Sequence, residues 1–169
     1  MITIYIKNCN PLSQNIYDNT INNLQLHSVC CTCGCKGGLI RHGFYKRTLK
    51  VMSHMLCLRV ARVLCKYCHH THALLLSSIV PYSQIPLADQ QDIIRNACRP
   101  NGLLEDIMEK NLLIDENTIK YILRQYRRHW KERLAAIGLS LMDELTPPCF
   151  KNYSGQFMQI RGTPNILYS

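Results

Sequence analysis

The sequence CCTCGC at residues 30–35 and the sequence CKYC at residues 65–68 form two short cysteine knuckles. Each knuckle contains a Cys-x-x-Cys pair, Cys30 with Cys33 and Cys65 with Cys68. Such a turn directs two thiolates at a common metal ion about 2.3 Å away, and two turns supply the four ligands of a tetrahedral Zn²⁺ site. A closed shell of four thiolates leaves no position for a catalytic water, so the spacing predicts a structural zinc site.

The first knuckle offers more than one choice of ligands, because Cys31 and Cys35 lie beside the chosen pair. Gly34 favours Cys30 and Cys33, since the turn of a zinc knuckle often needs a residue that tolerates positive φ after the second cysteine. Cys31 and Cys35 remain as spare ligands. The predicted metal ligands are Cys30, Cys33, Cys65 and Cys68.

Three histidines follow the second knuckle, namely His69, His70 and His72. They are interpreted as spare zinc ligands, as hydrogen-bond donors to the ligands, or as phosphate contacts. Paired histidines beside a tyrosine such as Tyr67 or Tyr82 also occur in single-strand nickases, but the flanking residues are wrong for a buried pair of strands. The metal-binding interpretation is therefore preferred.

The alternative to a metal site is a set of buried or disulfide-bonded cysteines, because ten cysteines in 169 residues also suit a secreted scaffold. The start of the chain, MITIYIKNCN, lacks the basic residues and apolar core of a secretory signal. We therefore expect a cytoplasmic protein in a reducing compartment. The isolated Cys9, Cys57, Cys98 and Cys149 are predicted to be small core residues.

The charge is strongly positive and unevenly distributed. The net charge is +9, and residues 19–88 contain no acidic residue. This stretch carries Lys36, Arg41, Lys46, Arg47, Lys50, Arg59, Arg62 and Lys66. A basic region without acids is expected of a protein that neutralises phosphates, although it also serves solubility or an acidic protein partner. The longest apolar run, at 73–80, is too short to cross a bilayer, so no membrane partner is expected.

The segment between the knuckles predicts two strands, at 39–49 and 55–64, preceded by a strand at 2–7 and a helix at 13–24. Strands between two knuckles form a zinc ribbon. We expect one face of these strands, the wet face, to be exposed to solvent. Phe44 and Tyr45 lie near the basic residues of that face, a combination that suits nucleic acid. The basic residues predicted to share it are Arg41, Lys46, Arg47, Arg59 and Arg62.

The pattern becomes helical after Pro81 and Pro86, with apolar residues at helical spacing up to residue 97 and a second helix at 103–110. A connector leads to Asp115, a good N-cap, and then to a long helix over 116–137 that ends at Gly138. A short helix, a short connector and a longer helix are the outline of a helix-turn-helix. Residues 141–169 are predicted to be an extended tail with apolar anchors.

The long helix has an apolar stripe and a separate basic stripe, and Glu132 is its only acid between residues 119 and 137. Phosphate contact explains this better than solvent exposure, because solvated helices usually mix acidic with basic residues. Recognition helices present their first turns to base edges. The predicted DNA contacts on this helix are Asn117, Thr118, Lys120, Tyr121, Arg124, Arg127, Arg128 and Lys131.

Several motifs carry a resemblance to a known family. They are Cys-x-x-Cys-Gly at 30–34, RHGFYKR at 41–47, RVLCKYCHHTH at 62–72, PYS at 81–83, FMQI at 157–160 and PNIL at 164–167. With these motifs the chain resembles short, mobile-element-associated proteins of the DUF6431 type and the N-terminal zinc-ribbon and helix-turn-helix region of bacterial insertion-sequence transposases. The resemblance implies DNA binding in a transposition setting. A proline is usual after the first cysteine of this knuckle, and here Cys31 occupies that position.

Catalysis is not expected. A three-carboxylate transposase needs acids that converge on two metals about 3.5 to 4 Å apart, whereas nearly all acids here lie on predicted helices. The overall prediction is an α+β protein with a zinc ribbon and leader at 1–82, a helix-turn-helix domain at 83–140 and a tail at 141–169. Its predicted function is zinc-stabilised binding of double-stranded DNA for a mobile element, as a homodimer or with a partner transposition protein. The alternatives are a transcriptional regulator, a zinc-dependent protein-interaction module and a truncated catalytic transposase.

Overall fold

The computed structural model describes residues 1–7, 11–51, 54–100, 102, 104–110 and 113–160. These residues form a mixed α/β fold with one four-stranded sheet. The strands are β1 (Ile2–Ile4), β2 (Leu39–Val51), β3 (His54–Cys65) and β4 (Thr71–Leu76). The α-helices are α1 (Gln14–Asn22), α2 (Leu87–Ala97), α3 (Leu104–Lys110), α4 (Glu116–Gln125), α5 (Lys131–Ala136) and α6 (Thr146–Tyr153). None of the helices in the described part of the chain combines the length and apolar character needed to cross a membrane.

The sheet has the order β1-β4-β3-β2. The strands β2 and β3 form a long antiparallel hairpin that pairs Leu39 with Cys65 at one end and Val51 with His54 at the other. This confirms the two strands predicted between the knuckles. The strand β4 continues the sheet in antiparallel fashion, and β1 joins β4 in parallel. The sheet therefore brings the start of the chain beside a strand about seventy residues later, since Ile2 pairs with Leu74.

The helix α1 covers the edge of β3 that β4 leaves unpaired. Ser13 caps the helix by accepting a hydrogen bond from the amide of Ile16, which confirms the predicted leader helix. The buried Tyr17 hydroxyl accepts from the amide of Ala61 and donates to the carbonyl of Leu74, each at 2.8 Å. These two bonds satisfy strand groups that the ladder does not pair, and the helix thereby closes the first hydrophobic core.

The long helix predicted at 116–137 is present, but it contains an irregular turn. Asp115 caps it, accepting from the amide of Thr118 at 2.9 Å and from its hydroxyl at 2.7 Å. A π-helical turn at Tyr126–Trp130 separates α4 from α5, which ends before Gly138. The helix α2 packs against both α3 and α4. The predicted helix at 103–110 corresponds to α3, although residues 103, 111 and 112 lie outside the described residues.

The second hydrophobic core surrounds Trp130 and includes the segment predicted to be a tail. Instead of an extended tail, residues after 145 form α6, and Phe157 is fully buried beside the indole ring. Cys149, Phe157 and Met158 belong to the second core, and removing these side chains from water favours the folded segment over an extended, solvated tail. The motif at 164–167 lies outside the described residues.

The isolated cysteines differ in their environments. Cys149 is buried in the second core, as predicted, and burial raises the pKa of its thiol to about 12. Cys57 and Cys98 are exposed, so the prediction that they are core residues is wrong. Cys57 lies on the wet face of β3, opposite Thr48 of β2. Cys9 lies outside the described residues.

Candidate metal centre and nucleic-acid interface

Four cysteines from the two knuckles form a cluster that can hold a metal ion. The Sγ atoms of Cys31, Cys33, Cys65 and Cys68 all lie within 4.8 Å of one another. The Cys31 and Cys68 sulfurs are 3.5 Å apart, and the Cys33 and Cys65 sulfurs are 3.9 Å apart. Thiolates bound tetrahedrally at about 2.3 Å are separated by about 3.8 Å. The spacing of these sulfurs therefore fits a single four-coordinate ion.

The hairpin brings the two knuckles together. The first knuckle lies shortly before the start of β2 at Leu39, and the second begins at Cys65, the last residue of β3. Because Leu39 pairs with Cys65, the loop before β2 lies next to the turn after β3. The first knuckle turns through Gly34, whose φ of +88° confirms the expected need for positive φ.

The structure places Cys31 in the cluster where the sequence predicted Cys30. Cys30 forms an isolated antiparallel bridge with Lys36, and the amide of Cys31 donates to the carbonyl of Cys35 at 2.8 Å. In such an extended segment, neighbouring side chains point to opposite sides. Cys31 is fully buried and faces Cys68, whereas Cys30 is partly exposed. Cys33, Cys65 and Cys68 lie in the cluster as predicted.

Backbone amides within the knuckles favour the thiolate form of two of these cysteines. The amide of Cys35 and the Cys31 thiol lower the pKa of Cys33. The amide of Cys68 lowers the pKa of Cys65 in the same way. Burial raises the pKa of Cys31, so its thiolate needs compensation by a nearby positive charge. A metal ion held at the centre of the cluster would supply that charge.

Among the three histidines, His72 is the one whose described side chain contacts the cluster, whereas His70 reaches Cys68 through its backbone amide. The His72 Nε2 atom lies 3.2 Å from the Cys31 sulfur, and its ring is 7% exposed. It lies on β4, opposite Val63 of β3, so the sheet fixes its position. His69 and His70 are exposed. The interpretation of His72 as a hydrogen-bond donor to a ligand therefore has a structural basis.

Replacing His72 by alanine should weaken metal binding without removing a ligand. We expect the affinity for Zn²⁺ to fall about 10- to 100-fold, because hydrogen bonds to ligands orient them and tune their basicity. Competition with a chromophoric chelator measures this affinity. His70→Ala is the matched control and should bind normally. An unchanged affinity in His72→Ala would show that the contact with Cys31 does not support the metal site.

On the wet face of the hairpin, two of the predicted basic residues lie together. Lys46 and Arg59 are paired across β2 and β3, and both are exposed. The Arg59 guanidinium lies 4.5 Å from the centre of the Phe44 ring, which is 48% exposed. This part of the face combines two cations with an accessible aromatic ring.

The other three predicted basic residues bond within the chain. Arg47 lies on the opposite side of β2 from Lys46, and its Nη2 atom donates to the carbonyls of Val80 at 2.9 Å and Ser83 at 2.7 Å. The prediction that Arg47 shares the wet face is wrong, because consecutive strand residues face opposite sides. Arg41 donates to the carbonyl of Ile21 at 3.2 Å. Arg62 donates to the Thr71 hydroxyl at 3.1 Å.

A basic groove of about 510 Å³ follows α4 and the π-helical turn; it is lined by Lys120, Leu123, Arg124, Arg127 and Arg128. The two described salt bridges engage only one of its four cations, since Lys120 pairs with Glu116 at 2.5 Å. These four cations have the i, i+4, i+7 and i+8 spacing that places side chains on one face of a helix. The π-helical turn at Tyr126–Trp130 has more than 3.6 residues and rotates the residues that follow it, and Lys131 does not line the groove. Arg128 joins Arg124 there in place of Lys131.

The remaining predicted DNA contacts occupy the start of α4, apart from Lys131, which begins α5. Asn117 is exposed, and the Tyr121 ring is 47% exposed with the Arg124 guanidinium 5.6 Å from its centre. Thr118 is half-buried, and its hydroxyl donates to Asp115. Lys131 is exposed beyond the groove. The structure thus brings Tyr121, Arg124, Arg127 and Arg128 close together and assigns Thr118 a capping bond.

No family model, curated protein or solved structure matches this chain. The resemblance to the DUF6431 type and to insertion-sequence transposases therefore stays a prediction. A fold alone does not determine function, which has to be inferred from the chemistry of the cysteine cluster and of the basic groove.

Proposed function

We propose that this protein binds double-stranded DNA through the basic groove and that a Zn²⁺ ion in the cysteine cluster stabilises its sheet. The observation that carries the proposal is the concentration of Lys120, Arg124, Arg127 and Arg128 along one groove. Phosphate oxygens are the ligands that such a row of cations recognises best. In line with the resemblance, the role is that of a cytoplasmic, non-catalytic DNA-binding subunit of a mobile element.

Zinc is the metal that best suits the cluster. Four thiolates in a tetrahedral arrangement are typical of structural zinc sites. Iron is the other metal that such a set of ligands commonly binds. The ion would be held by Cys31, Cys33, Cys65 and Cys68, and it would cross-link the loop before β2 to the turn after β3. Such a link would stabilise the sheet, because metal binding is coupled to folding.

The arrangement of the helices supports a docking mode on the duplex. The helix α2 packs across α4, and α4 presents Asn117, Tyr121 and Arg124 on its exposed side. In a helix-turn-helix, the second helix enters the major groove with its first turns near base edges. We propose that Asn117 and Tyr121 approach the bases, while Arg124, Arg127 and Arg128 bind phosphates. Lys46 and Arg59 would extend the contact along the DNA backbone.

The salt dependence of DNA binding tests this proposal. Removal of two phosphate contacts by Arg124→Gln with Arg127→Gln should weaken binding to mixed duplex DNA uniformly. The slope of log K against log salt should decrease in magnitude by about 0.9 for each contact. Anisotropy titrations of the zinc-loaded protein across a salt series measure both quantities.

The matched control is Lys7→Gln with Lys151→Gln, which removes the same charge from exposed positions away from the groove. This control should keep the parent slope within error. Equal losses in the two double variants would show that net charge, and not the groove, determines binding.

The competing function is a zinc-dependent protein-interaction module. It predicts one bound zinc ion per chain and no steep salt-dependent affinity for DNA. The exposed Phe44 and the apolar Leu123 in the groove are the features that favour it. The same titration therefore distinguishes the two functions.

A further inference from the structure

A second cavity of about 650 Å³ lies beside α4 and shares Arg128 with the basic groove. Its walls come from the loop after β4, from α2, from α4 with the π-helical turn, and from the segment after α6. Its lining includes Tyr82, Gln90, Tyr121, Gln125, Arg128 and His129. Its volume is within the range of roughly 300–1,000 Å³ that is typical of ligand sites.

The loop that forms one wall of the cavity is held by hydrogen bonds from β2 and from α2. Arg47 donates to the carbonyls of Val80 and Ser83, as described above. From α2, the buried Gln90 amide donates to the Ser83 hydroxyl at 3.0 Å and to the carbonyl of Ile85 at 2.9 Å. These four bonds fix the loop, so the cavity is largely pre-formed and does not need to assemble around a ligand.

Two aromatic residues, Tyr82 and Tyr121, line the cavity. Tyr82 is 72% exposed and has a φ of +63°, an unusual backbone conformation for a bulky residue. Tyr121, on α4, is 47% exposed. The buried Ile122 and Met158 line the interior. A flat ligand could stack on these rings and rest on the apolar side chains.

Polar groups inside the cavity define what kind of flat ligand fits. The Gln125 Oε1 atom is buried and has no hydrogen-bond partner among the described residues. It is an acceptor, and a ring N–H or an exocyclic amine of a ligand is a donor that would pair with it. Arg128 and His129 add donors at the same wall. A purely apolar ligand would leave the Gln125 acceptor unpaired, which is unfavourable.

The cavity adjoins the basic groove. Arg128 lines both, and Arg124 of the groove lies over the Tyr121 ring of the cavity. We propose that this cavity binds one unpaired nucleobase of a DNA strand whose phosphates lie in the basic groove. The base stacks with Tyr82 and Tyr121 and donates a hydrogen bond to Gln125, while Arg128 binds its flanking phosphate. The inference depends on the proposed DNA-binding function and adds a preference for DNA with an unstacked base.

A pair of duplexes tests this inference. One is a matched duplex, and the other is the same duplex with a central one-nucleotide bulge of 2-aminopurine. The zinc-loaded protein should bind the bulged duplex at least about fivefold more tightly, which is the lower end for one base stacked on an aromatic side chain. The 2-aminopurine fluorescence should change on binding as the base stacks.

Two variants separate the cavity from the groove. Tyr82→Ala and Gln125→Leu should abolish the preference for the bulge while they keep the affinity for the matched duplex. Tyr82 is exposed, so its replacement leaves the fold intact even if Gln125→Leu disturbs the helix. Tyr67→Ala, at a 63% exposed tyrosine of the second knuckle, is the matched control and should keep the preference.

The outcomes distinguish this inference from the function on which it rests. Equal binding of both duplexes overturns the inference and leaves the DNA-binding proposal intact. A preference for the bulge that survives in Tyr82→Ala also overturns the inference, because bulge flexibility would then explain it. No salt-dependent binding to either duplex overturns the DNA-binding proposal itself.

Discussion

Cys31→Ser is expected to abolish stoichiometric zinc binding and to unfold the sheet near the knuckles, whereas Cys30→Ser should preserve both. A serine hydroxyl is a poor ligand for Zn²⁺, so the variant leaves three thiolates and an open position. Structural zinc contributes about 10–16 kcal/mol of apparent binding free energy in small zinc-finger peptides, and this energy is coupled to folding. Losing one of four ligands is therefore expected to have the largest effect of any single substitution in this half of the molecule.

The pair of variants tests the ligand register directly, because the two cysteines are adjacent in the chain. Elemental analysis after dialysis against a mild chelator gives the zinc content per chain, and circular dichroism gives the thermal midpoint. Cys65→Ser and Cys68→Ser should behave like Cys31→Ser. The opposite result, with zinc lost in Cys30→Ser and retained in Cys31→Ser, would restore the register predicted from the spacing.

The elements predicted correctly from the sequence are those with strong local signals. The alternation of apolar residues predicted β2 and β3, and Asp115 predicted the start of α4. The parallel pairing of Ile2 with Leu74 could not be predicted, because a parallel connection over seventy residues has no local signal. The π-helical turn could not be predicted from the sequence either, since the apolar stripe of the long helix continues through it.

The candidate site was predicted in outline but not in detail. Cys33, Cys65 and Cys68 follow from spacing, but the choice between Cys30 and Cys31 depends on the bridge between Cys30 and Lys36. The one signal in the sequence against the predicted ligand register was Cys31, which occupies the position where a proline is usual. The strand period itself could have excluded Arg47 from the face of Lys46. The cavity beside α4 was not predictable, because distant segments of the chain line it.

Trp130→Ala is the substitution expected to destabilise the helical half most, by about 3–5 kcal/mol. Trp130 is fully buried, with its ring 5.3 Å from that of Phe157 and 6.0 Å from that of Tyr153, both in edge-to-face arrangements. Truncation removes these contacts and leaves a large cavity that the surrounding helices can fill only partly. Urea denaturation followed by circular dichroism measures the free energy of unfolding.

Trp130→Phe separates the loss of the aromatic contacts from the loss of the indole N–H. The indole nitrogen is buried and has no hydrogen-bond partner among the described residues, so its removal relieves an unsatisfied donor. We expect Trp130→Phe to cost clearly less than Trp130→Ala and both variants to retain the metal, because Trp130 belongs to the second core. A loss below about 1 kcal/mol in Trp130→Ala would contradict the role of this residue.

Since Arg127 and Arg128 share the π-helical turn with Trp130, the alanine variant should also weaken DNA binding. In Trp130→Phe that binding should persist, because the phenyl ring still holds the turn against Phe157.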